Sequence, residues 1–181
     1  MNPISSIDVS ALADAVRRRH RACGADAATL ASLENHMYRV LALVEDLSEG
    51  ESLNTLEYSL LRTSAILHDA AAGKTASPDA SAVLASEMLV AVGADAEFTA
   101  AVAKAIRRHG GSRIGADSTM PQSHAEQLLH DVCLLARIQE ARDGESESGL
   151  RGLASMLCTP TAVRMAGHMI GERSGAAVPA L

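Results

Sequence analysis

The chain has 181 residues, of which 48% are hydrophobic and only 2% aromatic, and its formal net charge is −6. This length suffices for one domain with a sizeable core, and the acidic balance argues against a groove for extended nucleic acid, which requires a basic face. Three widely separated cysteines form neither a zinc motif nor a disulfide framework, as is typical of the reducing cytoplasm. Since neither a signal peptide nor a membrane-spanning apolar run is visible, we expect a cytoplasmic protein without a membrane partner.

Apolar residues recur at helical intervals and predict six main helices. These are expected at about 7–23, 27–47, 54–69, 79–92, 95–109 and 122–142, followed by two short helices at about 150–157 and 160–172. Alternating β-branched runs, which would indicate strands, are scarce. The sequence therefore predicts an all-α fold, a compact single-domain helical bundle.

The helices divide the chain into four expected parts. Residues 1–25 form an N-terminal helix that packs on a core of residues 26–142, and residues 143–174 form the C-terminal helices. Residues 175–181 are expected to be a flexible tail, which is also a candidate contact in a homodimer. The basic run at 17–21 ends the first helix, where positive charge complements the helix dipole, and we interpret it as structural or solvated.

Four polar residues on the predicted helices are candidate metal ligands. His36 lies beside the apolar stripe of the second helix, His68 and Asp69 end the third, and Asp131 lies among leucines in the sixth. Burying a carboxylate among apolar residues is costly unless it is paired or bound to a metal. Taken singly, His36 is better explained as a hydrogen-bonded core or boundary histidine, and Asp131 as a partly exposed or salt-bridged acid.

The order of these residues is more specific than any one of them. His36 is followed after 32 residues by the His68-Asp69 doublet and after a further 62 by Asp131. This order resembles the HD-domain superfamily of metal-dependent phosphohydrolases. The matching segments are ENHMYRV (34–40), LLRTSAILHDA (60–70), AIRRHGG (105–111) and AEQLLHDVCLLARI (125–138).

The resemblance implies an all-helical scaffold in which His36, His68, Asp69 and Asp131 bind a divalent metal ion. Imidazole and carboxylate ligands without thiolates suit Mn, Co, Ni, Zn or Fe. It further implies that metal-activated water hydrolyses a phosphate ester of a nucleotide or other small phosphorylated metabolite.

The resemblance also suggests residues for catalysis and substrate binding. Asp69 and His109 are the expected catalytic residues, although a histidine at a helix C-terminus is also explained by the helix dipole. Basic side chains pair with phosphate, and the expected substrate-binding residues are Lys74, Arg39, Arg108 and Arg113. Each of these is also explained as a solvated surface residue.

The sequence departs from the common family pattern in three places. HDAAAGK (68–74) stands where many members read HDIGK, residues 70–108 contain no histidine, and Asp131-Val132-Cys133 replaces a frequent D-A-D. These differences favour one metal, or a dinuclear site completed by other groups. They leave open a catalytically weak or inactive ligand-binding or signalling module, and a lyase or oxygenase reaction is a third alternative.

Overall fold

The computed structural model describes residues 7–71, 76–109, 121, 123–142 and 144–174, with the side chains of 172–174 excepted. Within these ranges it contains eight α-helices and no strand, which confirms the predicted all-α class. The helices are α1 (Val9–Ala22), α2 (Ala27–Gly50), α3 (Thr55–Leu67), α4 (Pro78–Ala91), α5 (Ala96–His109), α6 (His124–Ala141), α7 (Glu147–Ala154) and α8 (Pro160–Ser174).

Local signals set the helix starts that matter for the site. α3 begins with a capping box, in which the Asn54 side chain accepts from the Glu57 amide and the Glu57 side chain binds the Asn54 amide. Such reciprocal bonds satisfy two backbone donors that the first helical turn leaves without partners. Asp8 and Asp26 cap α1 and α2 in a simpler way. The starts of α1, α2 and α3 are therefore fixed by short-range chemistry.

α3 lies at the centre of the fold, packed against α1, α2, α5 and α6. Its last turns, from Thr63 to Leu67, are buried without interruption. Full burial of each large apolar side chain, such as Leu61 or Ile66, contributes about 1.5–3 kcal/mol. The packing of α3 thus carries the chain directly into the interior at the point where the doublet follows.

α3 ends at Leu67, two residues before the predicted end at 69. The reason is a side-chain hydrogen bond: Nδ1 of His68 donates to the carbonyl oxygen of Ala65 over 2.7 Å. In a continuing helix this carbonyl would accept from the amide of Asp69. His68 is therefore the C-cap, and Asp69 lies in the turn beyond the helix.

The outer helices share the same core. Leu12 and Val16 of α1 and Ala162 and Ala166 of α8 belong to one buried apolar cluster with the central helices. In the described part of the chain, no helix is both long enough and apolar enough to cross a membrane. The predicted tail, 175–181, lies outside the described residues.

Candidate metal centre

Three of the predicted ligands, His36 from α2 and the His68-Asp69 doublet, converge in space. Nε2 of His36 lies 3.4 Å from Nε2 of His68, and Oδ2 of Asp69 lies 3.3 Å from Nε2 of His68 and 3.6 Å from Nε2 of His36. Ligands about 2.1 Å from an ion in a tetrahedral site are separated from one another by about 3.4 Å. The three atoms therefore fit one face of a tetrahedral metal site.

The hydrogen bonds of the two imidazoles direct their lone pairs toward this face. Nδ1 of His68 donates to the Ala65 carbonyl, and Nδ1 of His36 donates to Oε1 of Glu140 over 2.7 Å. Since a carbonyl or carboxylate oxygen only accepts, Nδ1 carries a hydrogen in each ring, and the neutral form of each ring has its lone pair on Nε2. Two such lone pairs and a carboxylate oxygen at these distances form an electron-rich site that suits a divalent cation.

Asp69 supplies negative charge at the open side of the group. Burial works to raise the pKa of its carboxyl, but the neighbouring histidines, His68 and then His36, together hold the pKa below its usual range. About half of the side chain (48%) remains exposed. The carbonyl oxygen of Asp69 accepts a 2.7 Å hydrogen bond from Nε2 of His20 in α1, so the doublet is held from both sides.

His109, a predicted catalytic residue, lies on the inner side of the group. Its ring packs edge-on against His68, with 5.2 Å between the ring centroids, and its Nδ1 donates to the carbonyl of Ile106. Burial lowers the pKa of His109 to about 4, and the positive charge of the protonated form of His68 acts in the same direction. The imidazole is therefore neutral at pH 7, with its lone pair on Nε2.

Cys133 of α6 completes a second triad that the sequence did not predict. Donor atoms of His68, His109 and Cys133 all lie within 4.8 Å of one another. Burial raises the pKa of the Cys133 thiol, and the charge of Asp69 raises it further. His68 thus belongs to two donor groups at once.

Asp131, the fourth predicted ligand, does not join this group. It is fully buried, and its two carboxylate oxygens accept 2.7 Å hydrogen bonds from the amides of Cys158 and Thr159, just before α8. Burial raises the pKa of Asp131 against the opposite effect of these amides. The carboxylate does have the partner that its burial requires, but this partner is the backbone, so the predicted ligand role does not fit the geometry.

A cleft of about 760 Å³ opens beside His36 and Asp69. Arg39 lines it, and Nη1 of Arg39 donates to Oε1 of Glu140 over 2.8 Å. Arg108 does not line the cleft: its Nη1 lies 3.8 Å from Oε2 of Glu126, in an ion pair between α5 and α6, and its role in substrate binding stays a prediction. The two other predicted substrate-binding residues, Lys74 and Arg113, lie outside the described residues.

Three residues at the site, His20, Cys133 and Glu140, were not predicted from the sequence. His20 continues the buried stripe of α1 at four-residue spacing from Val16, and Glu140 lies two helical turns beyond Cys133 on the same face of α6. These spacings were the available signals. Neither spacing indicates a role at the site by itself, because the partners of His20 and Glu140 are Asp69 and His36, which lie far away in the chain.

Comparison with known families accounts for this arrangement. The family model for the HD domain matches residues 33–142, more than half of the chain, and this range includes His36, His68, Asp69 and His109. Searches of curated proteins and of solved structures gave no significant match. HD domains form a superfamily of metal-dependent phosphohydrolases. The matched range, the all-helical fold and the ordered histidine–aspartate set together show that this chain belongs to the HD-domain family.

Proposed function

We propose that this protein is a metal-dependent phosphohydrolase that cleaves a phosphate ester of a nucleotide or other small phosphorylated metabolite. The observation that carries the proposal is the convergence of His36, His68 and Asp69, with two lone pairs and a carboxylate facing one point. Membership of the HD-domain family supports the same reaction class.

The donor set suits a divalent transition ion. Imidazole and carboxylate groups bind Mn, Co, Ni, Zn and Fe, and the spacing of the three donor atoms matches ligands of a single ion. Such an ion, when bound, supplies Lewis acidity and lowers the pKa of a coordinated water. His36, His68 and Asp69 are the residues that would hold it.

Glu140 and Arg39 extend the site toward the cleft. Glu140 fixes the ring of His36 through Nδ1, and such outer carboxylates raise the basicity of a ligand histidine. Arg39 directs one guanidinium N–H at Glu140, and a guanidinium carries five such donors. We assign Arg39 to the substrate phosphate, since a fork of N–H donors matches phosphate oxygens.

One wall of the cleft, on α2, is polar and uncharged, and it indicates what else the substrate contains. Thr29, Ser32 and Asn35 line it on α2 at spacings of three residues, all exposed and uncharged. Hydroxyl and amide groups hydrogen-bond to neutral polar groups. This wall suits the hydroxyl-bearing part of a phosphorylated sugar, alcohol or nucleoside.

The direct test is turnover by protein purified without a histidine tag and loaded with each of the candidate ions. Substrates are nitrophenyl phosphate, its bis-ester, and a panel of nucleotides and sugar phosphates. We expect hydrolysis by the wild type and by the control Asp14→Asn, and loss of both metal and activity in Asp69→Asn. Asp14 is a suitable control because it is an exposed acid on α1.

One observation favours the alternative of a non-hydrolytic binding module. Ala70 and Ala71 follow the doublet and are both buried, so neither offers a side chain for proton transfer. Metal-loaded protein that binds a nucleotide but releases no phosphate from any compound in the panel would favour this alternative and contradict the proposed hydrolysis.

A further inference from the structure

Cys133 lies where the sequence pattern of the family places a second acid. The tripeptide Asp131-Val132-Cys133 stands in for D-A-D, and the structure turns Asp131 away from the doublet. The sulfur of Cys133 instead lies within 4.8 Å of donor atoms of both His68 and His109. In the donor group, α6 therefore contributes the thiol of Cys133 and not the predicted carboxylate of Asp131.

The two histidines of this triad are oriented as ligands. Nδ1 of His68 is bound to the Ala65 carbonyl and Nδ1 of His109 to the Ile106 carbonyl, which leaves Nε2 of each ring as the lone-pair atom. The two rings pack edge to face rather than in parallel. Both Nδ1 atoms are thus held from behind by backbone oxygens, the arrangement that fixes metal-binding imidazoles.

His68 links this triad to the first one. Its Nε2 has one lone pair and can bind one ion, so the two triads do not each hold an ion with a complete set of three ligands. The simplest arrangement is one ion bound to His68, with its other ligands drawn from the two triads and Cys133 among them.

We propose that Cys133 is a thiolate ligand of the metal centre, supported by His109, and that it makes the site selective for thiophilic ions such as Zn²⁺, Co²⁺ or Cd²⁺ over Mn²⁺. This rests on the metal centre of the proposed function and deepens it. On binding, the S–H bond breaks, a metal–sulfur bond forms, and the proton passes to the buffer. Soft sulfur ligands favour these ions, whereas oxygen ligands favour Mn²⁺.

The experiment is a Co²⁺ titration of the full chain, purified without a tag and followed by absorption. Thiolate coordination gives a sulfur-to-cobalt charge-transfer band in the near ultraviolet, separate from the visible ligand-field bands that any Co²⁺ site shows. We expect both in the wild type. In Cys133→Ser we expect the charge-transfer band to vanish while the ligand-field bands persist, and Zn²⁺ affinity to fall on the order of 10- to 100-fold more than Mn²⁺ affinity.

The matched control replaces the other two cysteines. Cys23 is exposed and Cys158 lies near Asp131, so the double variant Cys23→Ser/Cys158→Ser keeps Cys133 as its single thiol. The charge-transfer band should survive in this variant. Because the control does not alter Cys133, it tests the assignment even if Cys133→Ser fails to fold.

The outcomes separate this inference from the proposed function. Ligand-field bands without a charge-transfer band in the wild type, or a charge-transfer band that persists in Cys133→Ser, would overturn the thiolate ligand and leave the hydrolase proposal standing. Absence of any Co²⁺ signal, with no metal detected after purification, would overturn both.

Discussion

Two clusters of histidine, aspartate and cysteine lie within this small fold, and they differ in where their hydrogen bonds go. In the buried cluster of His130, Asp131 and Cys158, both oxygens of Asp131 accept backbone amides, and the ring nitrogens of His130 lie 3.4 and 3.2 Å from carbonyl oxygens. In the cluster around the doublet, Nε2 of His36 and of His68 face each other. The two clusters are similar in residue types and in the distances between their donor atoms. The lone pairs left over after hydrogen bonding distinguish the candidate metal centre from a cluster whose hydrogen bonds serve only to join parts of the fold.

Replacing Asp131 and Asp69 in turn is the most direct test of this difference between the two clusters. Asp131→Ala leaves two amides before α8 without acceptors, and we expect a loss of about 3–5 kcal/mol in the free energy of unfolding. Asp69→Ala should cost the metal-free protein less than about 1 kcal/mol, because the side chain is half exposed. Urea denaturation of both variants without metal measures the difference, and equal losses would abolish the distinction.

The pH dependence of the metal-free protein gives the next largest effect. His109 has a folded pKa of about 4, so between pH 6.5 and 4 the unfolded chain binds a proton that folded His109 does not. This contribution to stability is present above pH 6.5 and is lost as the pH falls to 4, by about 3 kcal/mol. The low pKa of Asp69 acts in the same direction.

The contribution of Asp131 to the pH dependence of stability has the opposite sign. Its folded pKa is raised, so protonation at falling pH favours the folded state. Urea midpoints measured from pH 7 to pH 4 should therefore fall steeply in the wild type and less steeply in His109→Gln. An unchanged slope in that variant would show that the loss originates elsewhere.

Metal addition tests which of the two clusters binds an ion. An ion that binds only the folded protein, at 100 times its dissociation constant, stabilises it by about 2.7 kcal/mol. We expect the melting temperature of the wild type and of Cys158→Ser to rise with Zn²⁺ and to fall back with a chelator, whereas that of Asp69→Asn should not respond. A lost response in Cys158→Ser would implicate the second cluster in metal binding.

The smallest expected effect tests the outer carboxylate of the centre. Glu140→Gln keeps an oxygen near Nδ1 of His36 but removes the charge, and changes of this kind lower metal affinity by about 10- to 100-fold. Glu147→Gln is the matched control, since Glu147 lies on the surface of α7, where it pairs with Arg151. Competition with a chromophoric chelator measures the metal affinities of both variants. Equal affinities would show that Glu140 does not support metal binding.

The helices and the doublet could be predicted from the sequence because their signals are local. Three- and four-residue periodicity gave the eight helices, and the ordered set of His36, His68 and Asp69 gave three donors that converge. The end of α3 was placed two residues too late, because the bond from His68 to the Ala65 carbonyl is a side-chain effect that periodicity does not reveal.

The sequence pattern could not show whether Asp131 or Cys133 faces the doublet. The two positions are separated by about 200° around the helix and face nearly opposite ways. α6 is buried on almost all sides between Leu128 and Ile138, so it has no polar face that would fix its rotation. The roles of Lys74 and Arg113, the homodimer, the cytoplasmic location and the substrate stay predictions.

The hydrogen bond from His20 to the Asp69 carbonyl has a consequence for where the functional unit begins. His20 lies on α1, before residue 33, where the family match starts. It also lines the cleft beside the doublet. A chain trimmed to the matched residues would keep the histidine–aspartate motif but lose a donor to its backbone and one wall of the cleft. The residues that build the site therefore extend beyond the shared family sequence.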